Sequence, residues 1–298
     1  MIIECIKEGF NITNRNWQLI LVRIITAVIN IAALLIFLGF PLLVALMYLG
    51  IDIASAKDMF PSMINNPTQF VAKYLGLFFV FLAALLFFLT FASLLSLYTL
   101  SGTIGVLKTA SLNASYRFTM SSFFNEANRH FSRLFWLLSL LLLGIILLLA
   151  AFLLFGVTGA AVVHSLAVSQ STLLVFLSTF IILSGITFGS IFFFAAIVFM
   201  FYCTIVSVVE EECSSDTIKR TFYFLKKMPG AFMLYFILLV GLIAANSLLM
   251  PLSWMTVIFS FIGALLQSYL MIVFWSALIV SYVKWRDNPV QGANDIII

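Results

Sequence analysis

Apolar residues run along this chain in long blocks, and the charged residues are confined to the gaps between them. From Leu134 to Val209, 76 residues pass without an Asp, Glu, Lys or Arg. Crossing the roughly 30 Å hydrocarbon core takes about 20 apolar residues of helix, so this block holds more than one span. Its flanks decide how many. Arg129 and Arg133 precede it, and Lys219, Arg220, Lys226 and Lys227 follow. Basic residues favour the cytoplasmic side, which puts both flanks there and an even number of spans between them. Four spans would need about 80 residues plus turns. The block therefore reads as one hairpin, with spans at 134–155 and 173–209 and a turn built from Gly156, Gly159 and Ser165 to Thr172.

The other blocks read in the same way. Spans are predicted at 18–49, 73–101, 231–249 and 255–283. Gly39-Phe40-Pro41 is the expected kink of the first. The second overshoots the bilayer until Ser101-Gly102-Thr103-Ile104-Gly105 loosens it, and Pro251 turns the chain after the fifth. Residues 287–298 form a short tail. The first block reads as a retained span, because Glu4 and Glu8 stand near the start and no cleavage pattern follows. Under this layout 13 of the 15 Lys and Arg residues lie inside, with Lys57 and Lys73 outside. The expected architecture is an all-α integral membrane protein of the cell (inner) membrane. It has six transmembrane helices in a single domain, 1–298, and both termini are cytoplasmic.

Three charged segments carry a different pattern. In residues 1–17, Ile2, Ile3, Ile6 and Phe10 share a helical face; in 121–131, Phe123, Phe124, Ala127 and Phe131 do so. The third segment begins at Ser214, Ser215 and Asp216 and ends at Lys226 and Lys227, which matches the helix dipole; Pro229-Gly230 stops it. All three are predicted to be cytoplasmic interfacial amphipathic helices. Each precedes an odd-numbered span, and Ile6-Lys7-Glu8-Gly9-Phe10 parallels Ile218-Lys219-Arg220-Thr221-Phe222. A three-hairpin pseudo-repeat is the expectation.

Composition agrees with the pattern. The chain is 64% hydrophobic and 9% charged, against about 25% charged in soluble domains, and its mean hydropathy is +1.20. The net charge of +4 belongs to membrane topology, since the basic residues flank apolar blocks; no nucleic acid is implied. Cys5, Cys203 and Cys213 have neither zinc nor CxxC spacing.

Catalytic motifs are missing from the sequence: GxSxG, HExxH, the P-loop and GxGxxG are all absent. His130 and His164 lie in no metal motif. The spans carry no acid or base near their centres, which argues against a proton-coupled transporter. The protein is expected to be non-enzymatic and to need no cofactor. An enzyme reading would require His130, Glu126 and the trio Glu210-Glu211-Glu212 to converge. The trio itself is expected to neutralise the basic cluster that follows it. Arg117, Arg129, Arg133, Lys219, Arg220, Lys226 and Lys227 are the candidate contacts for anionic lipid headgroups. Gly185 and Gly189 form a GxxxG, expected to pack against a neighbouring helix or in a homo-oligomer.

The run Val208-Val209-Glu210-Glu211-Glu212-Cys213-Ser214-Ser215-Asp216-Thr217-Ile218-Lys219-Arg220-Thr221-Phe222-Tyr223-Phe224-Leu225-Lys226-Lys227 resembles a pattern of several bacterial and archaeal six-span families. In these a Val-rich span end meets an acid, a polar turn and a helix of the type A/I-x-R-S/T-x-x-L-x-K. The membrane domain of glycerophosphodiester phosphodiesterases and the YciC-like group are examples. Thr217 to Thr221 carries the resemblance, and Asn128-Arg129-His130-Phe131 resembles a second copy. The resemblance covers about 20 residues and implies a six-span fold. It lacks the soluble phosphodiesterase domain, so that activity is not implied.

The expected function is a non-enzymatic multi-pass membrane protein that binds lipid or a membrane partner in envelope homeostasis. The alternative is the permease subunit of a transporter. The topology predicts that a cysteine placed by Ser165→Cys reacts with an impermeant maleimide only from outside intact cells, and one placed by Ser215→Cys only after the inside is opened. Outside labelling at position 215 would overturn the layout.

Overall fold

The computed structural model describes residues 2–53, 67–168, 172–212, 214–253 and 257–287. Its helices are α1 (Ile2–Arg15), α2 (Gln18–Leu34), α3 (Phe40–Ile53), α4 (Pro67–Leu112), α5 (Met120–Val168), α6 (Thr172–Glu210), α7 (Ser214–Lys227), α8 (Gly230–Ser253) and α9 (Val257–Asp287). There is no strand among the described residues. Among the described residues, six stretches are long and apolar enough to cross a membrane: Gln18–Ala45, Leu75–Leu112, Met120–Ser165, Ser178–Glu210, Gly230–Leu249 and Ser260–Asp287. The chain is an all-α multi-pass membrane protein. Lys57 and the rest of residues 54–66 lie outside the described residues, as do residues 169–171 of the expected turn, Cys213 and nearly all of the tail.

Several helices run further than their spans require. α5 has 49 residues, about 74 Å at 1.5 Å per residue. The amphipathic stretch 121–131 is therefore not a separate interfacial helix. It forms the first turns of the helix that carries the span, because neither Pro nor Gly interrupts the passage through Ser132 and Arg133. The same helix continues through Gly156 and Gly159, which were expected in the turn. A helical glycine loses only about 1 kcal/mol relative to Ala, and at Gly159 packing uses the space. A Cβ there would lie 3.0 Å from Ile182.

α4 likewise passes through Ser101 to Gly105 and ends at Leu112. Gly102 and Gly105 do not loosen it; they admit the start of α5. A Cβ on Gly102 would fall 2.6 Å from the Phe123 ring, and one on Gly105 would fall 2.7 Å from the Glu126 Cβ. The Ser101 hydroxyl donates to the Ala127 carbonyl at 3.2 Å. Pro41 is accommodated by a π-helical turn over Leu35–Gly39, in which the Phe40 N–H donates to the Leu35 carbonyl. The proline has no N–H to give, and its ring would crowd the carbonyl four residues back. Pro251 lies within α8, which runs on to Ser253.

The chain divides into two compact units. One is residues 20–100, where the Thr26 and Thr99 hydroxyls are 3.0 Å apart and the Phe37 and Phe91 rings are in contact at 6.1 Å between centroids. The other comprises residues 1–19 and 101–298, and within it burial is concentrated at the charged ends of the helices. Buried side chains cluster in Ile104–Ala110, Phe123–Leu137, Val198–Val209, Phe224–Tyr235 and Ile272–Trp285. Away from those ends the helices present bare apolar surface, with Leu154, Phe176 and Phe188 all strongly exposed. Lipid tails are as apolar as leucine, so there is no hydrophobic drive between helices inside a bilayer. Where a helix outruns the bilayer that drive returns, and a core forms.

α1 shows how close this packing is. Its buried residues, Cys5, Gly9, Ile12 and Thr13, form a stripe against α9. The face expected to lie in the interface is the other one: Ile3 and Phe10 remain exposed. Small residues four apart let the two backbones approach, so that a Cβ on Gly9 would sit 2.9 Å from the Ala277 backbone nitrogen. Thr13 and Ser276 share a hydroxyl contact at 3.3 Å, Tyr269 donates to Asn14 at 2.7 Å, and Glu8 pairs with Lys284 at 2.8 Å. Burial raises the Cys5 thiol above its ordinary value, so this thiol is unreactive while α1 is seated. Gly9→Val, which meets backbone and not a movable side chain, should destabilise the seat by about 1–3 kcal/mol. In a Cys213→Ser background the variant should alkylate at Cys5 much faster than its parent, as read by maleimide mass labelling.

Candidate functional site

α6 leads into three consecutive carboxylates, Glu210 to Glu212, and each is engaged by side chains from other helices. Glu210 accepts from the Tyr282 hydroxyl of α9 at 2.9 Å and lies 3.3 Å from the Arg220 guanidinium of α7. Glu211 receives Lys108 from the end of α4 at 2.7 Å and is also paired with Arg129 of α5. Glu212 pairs with Arg220 at 2.6 Å. The Lys108 ammonium also donates to the Val208 carbonyl at 2.9 Å, satisfying one of the acceptors that a helix end leaves open.

The chain reverses at this point. Glu211 has φ 57°, in the left-handed region, a conformation that costs a non-glycine residue roughly 1–2 kcal/mol. The two cations that converge on its carboxylate offset that cost. The reversal brings α7 back along α6, so that Phe224 lies against Tyr202 at 5.1 Å between ring centroids and against Trp285 of α9 at 5.0 Å. The Tyr202 hydroxyl donates to the Ala231 carbonyl at the start of α8.

Arg15, at the end of α1, closes the arrangement on another side. Its guanidinium donates to the Ala110 and Ala114 carbonyls at 2.5 Å each, capping the C-terminus of α4 as a cation does best. His130 is buried on α5, with Nε2 at 3.1 Å from Glu126, and its Nδ1 has no partner among the described residues. No group of three metal-ligating side chains occurs among the described residues.

The seven basic residues expected to meet lipid headgroups do not form one patch. Arg129 and Arg220 are drawn into the carboxylate trio. Lys219 stands exposed, 3.9 Å from Asp216. Arg133 is half-buried, with one terminal nitrogen lacking a partner among the described residues. Arg117 is exposed between α4 and α5. Lys226 and Lys227 are exposed at the end of α7, and the Lys227 ammonium lies 5.9 Å from the Tyr223 ring centroid. Gly185 and Gly189 face α5, where Cβ atoms would fall 2.5 Å from the Phe155 ring and 2.0 Å from the Phe152 ring.

Sequence reasoning missed Lys108, Tyr282 and Arg15 as members of this end. It also gave the trio only the basic residues that follow it in the chain. The signal for Lys108 was its isolation after an uncharged block: a lone cation at the end of a long apolar helix needs a counter-charge from another helix.

A groove opens beside this end. It has a volume of about 510 Å³ and is lined by Phe192, Ala195 and Phe199 of α6, Phe222 and Lys226 of α7, and Phe232 of α8. Among the described residues, Lys226 is its one charged lining residue.

The Lys108 hydrogen bond, with Arg129 beside it, holds the Glu211 carboxyl below its ordinary value. A depressed carboxylate stabilises the fold above the unfolded value near 4.5, and that contribution is lost as pH falls through the folded value. Thermal unfolding in detergent should therefore show the wild type losing stability from about pH 5 downward, with Glu211→Gln less stable at pH 7 and flatter over the acid range. Against protein-family models, curated proteins and solved structures the chain shows no match, so this site is read from its own residues.

Proposed function

We propose that this is a non-enzymatic multi-pass protein of the cell's inner membrane that binds anionic phospholipid through the cytoplasmic, charged ends of its helices. The observation that carries the reading is the division of the cations. Lys108, Arg129 and Arg220 are paired with carboxylates, whereas Arg117, Lys226 and Lys227 are exposed and pair with no carboxylate among the described residues. The charges left over stand where apolar helix gives way to polar chain, at headgroup level in the proposed orientation. Each such residue is worth roughly 1 kcal/mol toward an anionic surface.

The absence of catalysis is supported by the state of the titratable groups. All three carboxylates of the trio are held by donors, and His130, though beside Glu126, is completely buried, out of reach of a substrate. A permease reading gains nothing from the α5–α6 hairpin, where Phe152 and Phe155 fill the notches at Gly189 and Gly185.

Native mass spectrometry of the full-length protein, extracted gently and offered phosphatidylglycerol and phosphatidylcholine together, tests the proposal. Preferential retention of phosphatidylglycerol, falling as salt is raised, is the expected result. Equal retention of the two lipids, or retention of neither, would sink the reading.

A further inference from the structure

We infer that the groove between α6, α7 and the start of α8 seats one acyl chain of an anionic phospholipid, with the lipid phosphate held at Lys226. The inference rests on the lipid-binding reading above and gives it a specific site.

Its walls come from one helical face. Phe192, Ala195 and Phe199 are spaced i, i+3 and i+7 along α6, so they line up along the axis. Ala195 leaves a shallow floor between two phenyl rings. Phe222 adds to the lining from α7, and Phe232 from α8. The volume, about 510 Å³, falls within the roughly 300–1,000 Å³ typical of small-molecule sites. Its lining is apolar throughout: Lys226, exposed at the end of α7, contributes its stem, and the ammonium lies beyond the apolar walls.

That combination selects the occupant. A purely apolar guest would make no use of the exposed Lys226 ammonium beside the groove, and a soluble anion would leave the phenyl walls bare. A molecule with a long apolar chain ending in an anion matches both parts. The position fits as well: Lys226 and Lys227 stand two to three residues before Pro229-Gly230, where amphipathic α7 gives way to apolar α8. This is the boundary at which phosphates sit and acyl chains begin. A zwitterionic headgroup would bring a second cation beside two lysines, so phosphatidylglycerol is favoured over phosphatidylcholine. Long basic side chains at such a level bury their stems and hold the charge at the headgroups.

The test uses the full-length protein in mild detergent, equilibrated with mixed micelles of phosphatidylcholine and phosphatidylglycerol, with bound lipids counted by native mass spectrometry. The wild type should keep one phosphatidylglycerol through a high-salt wash that strips the more loosely held ones. Ala195→Trp, which fills the floor, should lose that lipid while the salt-sensitive ones remain. Lys226→Gln should bind it about fivefold more weakly, the fold-change expected for one basic contact. Phe222→Asp changes an exposed residue, so the fold stands, and it should also lose the lipid by placing a carboxylate at the mouth. Retention of the salt-resistant lipid in both Ala195→Trp and Phe222→Asp would overturn the groove assignment and leave the general lipid-binding reading intact. No preference for phosphatidylglycerol in the wild type would overturn both.

Discussion

Glu210, Glu211 and Glu212 gather side chains from four other helices onto the end of α6. Lys108 arrives from α4, Arg129 from α5, Arg220 from α7 and Tyr282 from α9. Two of these groups are shielded from water: the Lys108 and Glu210 side chains are only 14% and 12% exposed. A carboxylate held in such surroundings needs its partner, because removing one member leaves a poorly solvated charge behind. The left-handed backbone at Glu211 belongs to the same constraint. It reverses the chain so that α7 can return along α6, and it persists because the pairs around it fix the position.

The energetics differ between the two ends of each helix. Along the apolar stretches neighbouring helices gain little from contact that lipid would not supply, and the side chains stay exposed. α6 has 39 residues, about 58 Å of helix, or nearly twice what the bilayer takes. The surplus forms the packed end. There Tyr202, Phe224, Tyr282 and Trp285 interlock, Gly9 lets the α9 backbone close in, and Gly102 and Gly105 make room for side chains of α5. Each of the three amphipathic segments lies on the charged end of a membrane-length helix: α1 on α9, the start of α5 on α4, and α7 on α6. The proposed lipid contacts lie on the rim of this end, where cations remain after the carboxylates have taken theirs.

The sequence made the six apolar helices and their charged ends legible, because block length and charge placement are one-dimensional properties. Helix ends were less so. Gly102, Gly105, Gly156 and Gly159 read as breaks, yet all four lie within helices, and three of them admit a side chain from a neighbour. Propensity alone cannot distinguish a glycine that frees the chain from one that makes room. The second face of α1, the one that packs on α9, went unread for a related reason. Ile2, Ile3, Ile6 and Phe10 carry the larger hydrophobicity, but Cys5, Gly9 and Thr13 carry the contact, since the approach of α9 rewards small side chains. Of the candidate lipid contacts, Arg129 and Arg220 could not be told from the exposed Arg117 by residue type. What separates them is the placement of Glu210 to Glu212 in space. The groove was beyond sequence reading because its walls come from three helices.

A double-mutant cycle between Lys108 and Glu211 tests the central claim that the carboxylate trio clasps the charged ends together. Unfolding free energies in mixed micelles would be measured for the wild type, Lys108→Met, Glu211→Gln and the double variant. The account predicts a coupling energy of about 1–3 kcal/mol. Single effects that add to within about 0.5 kcal/mol, as for independent sites, would contradict it.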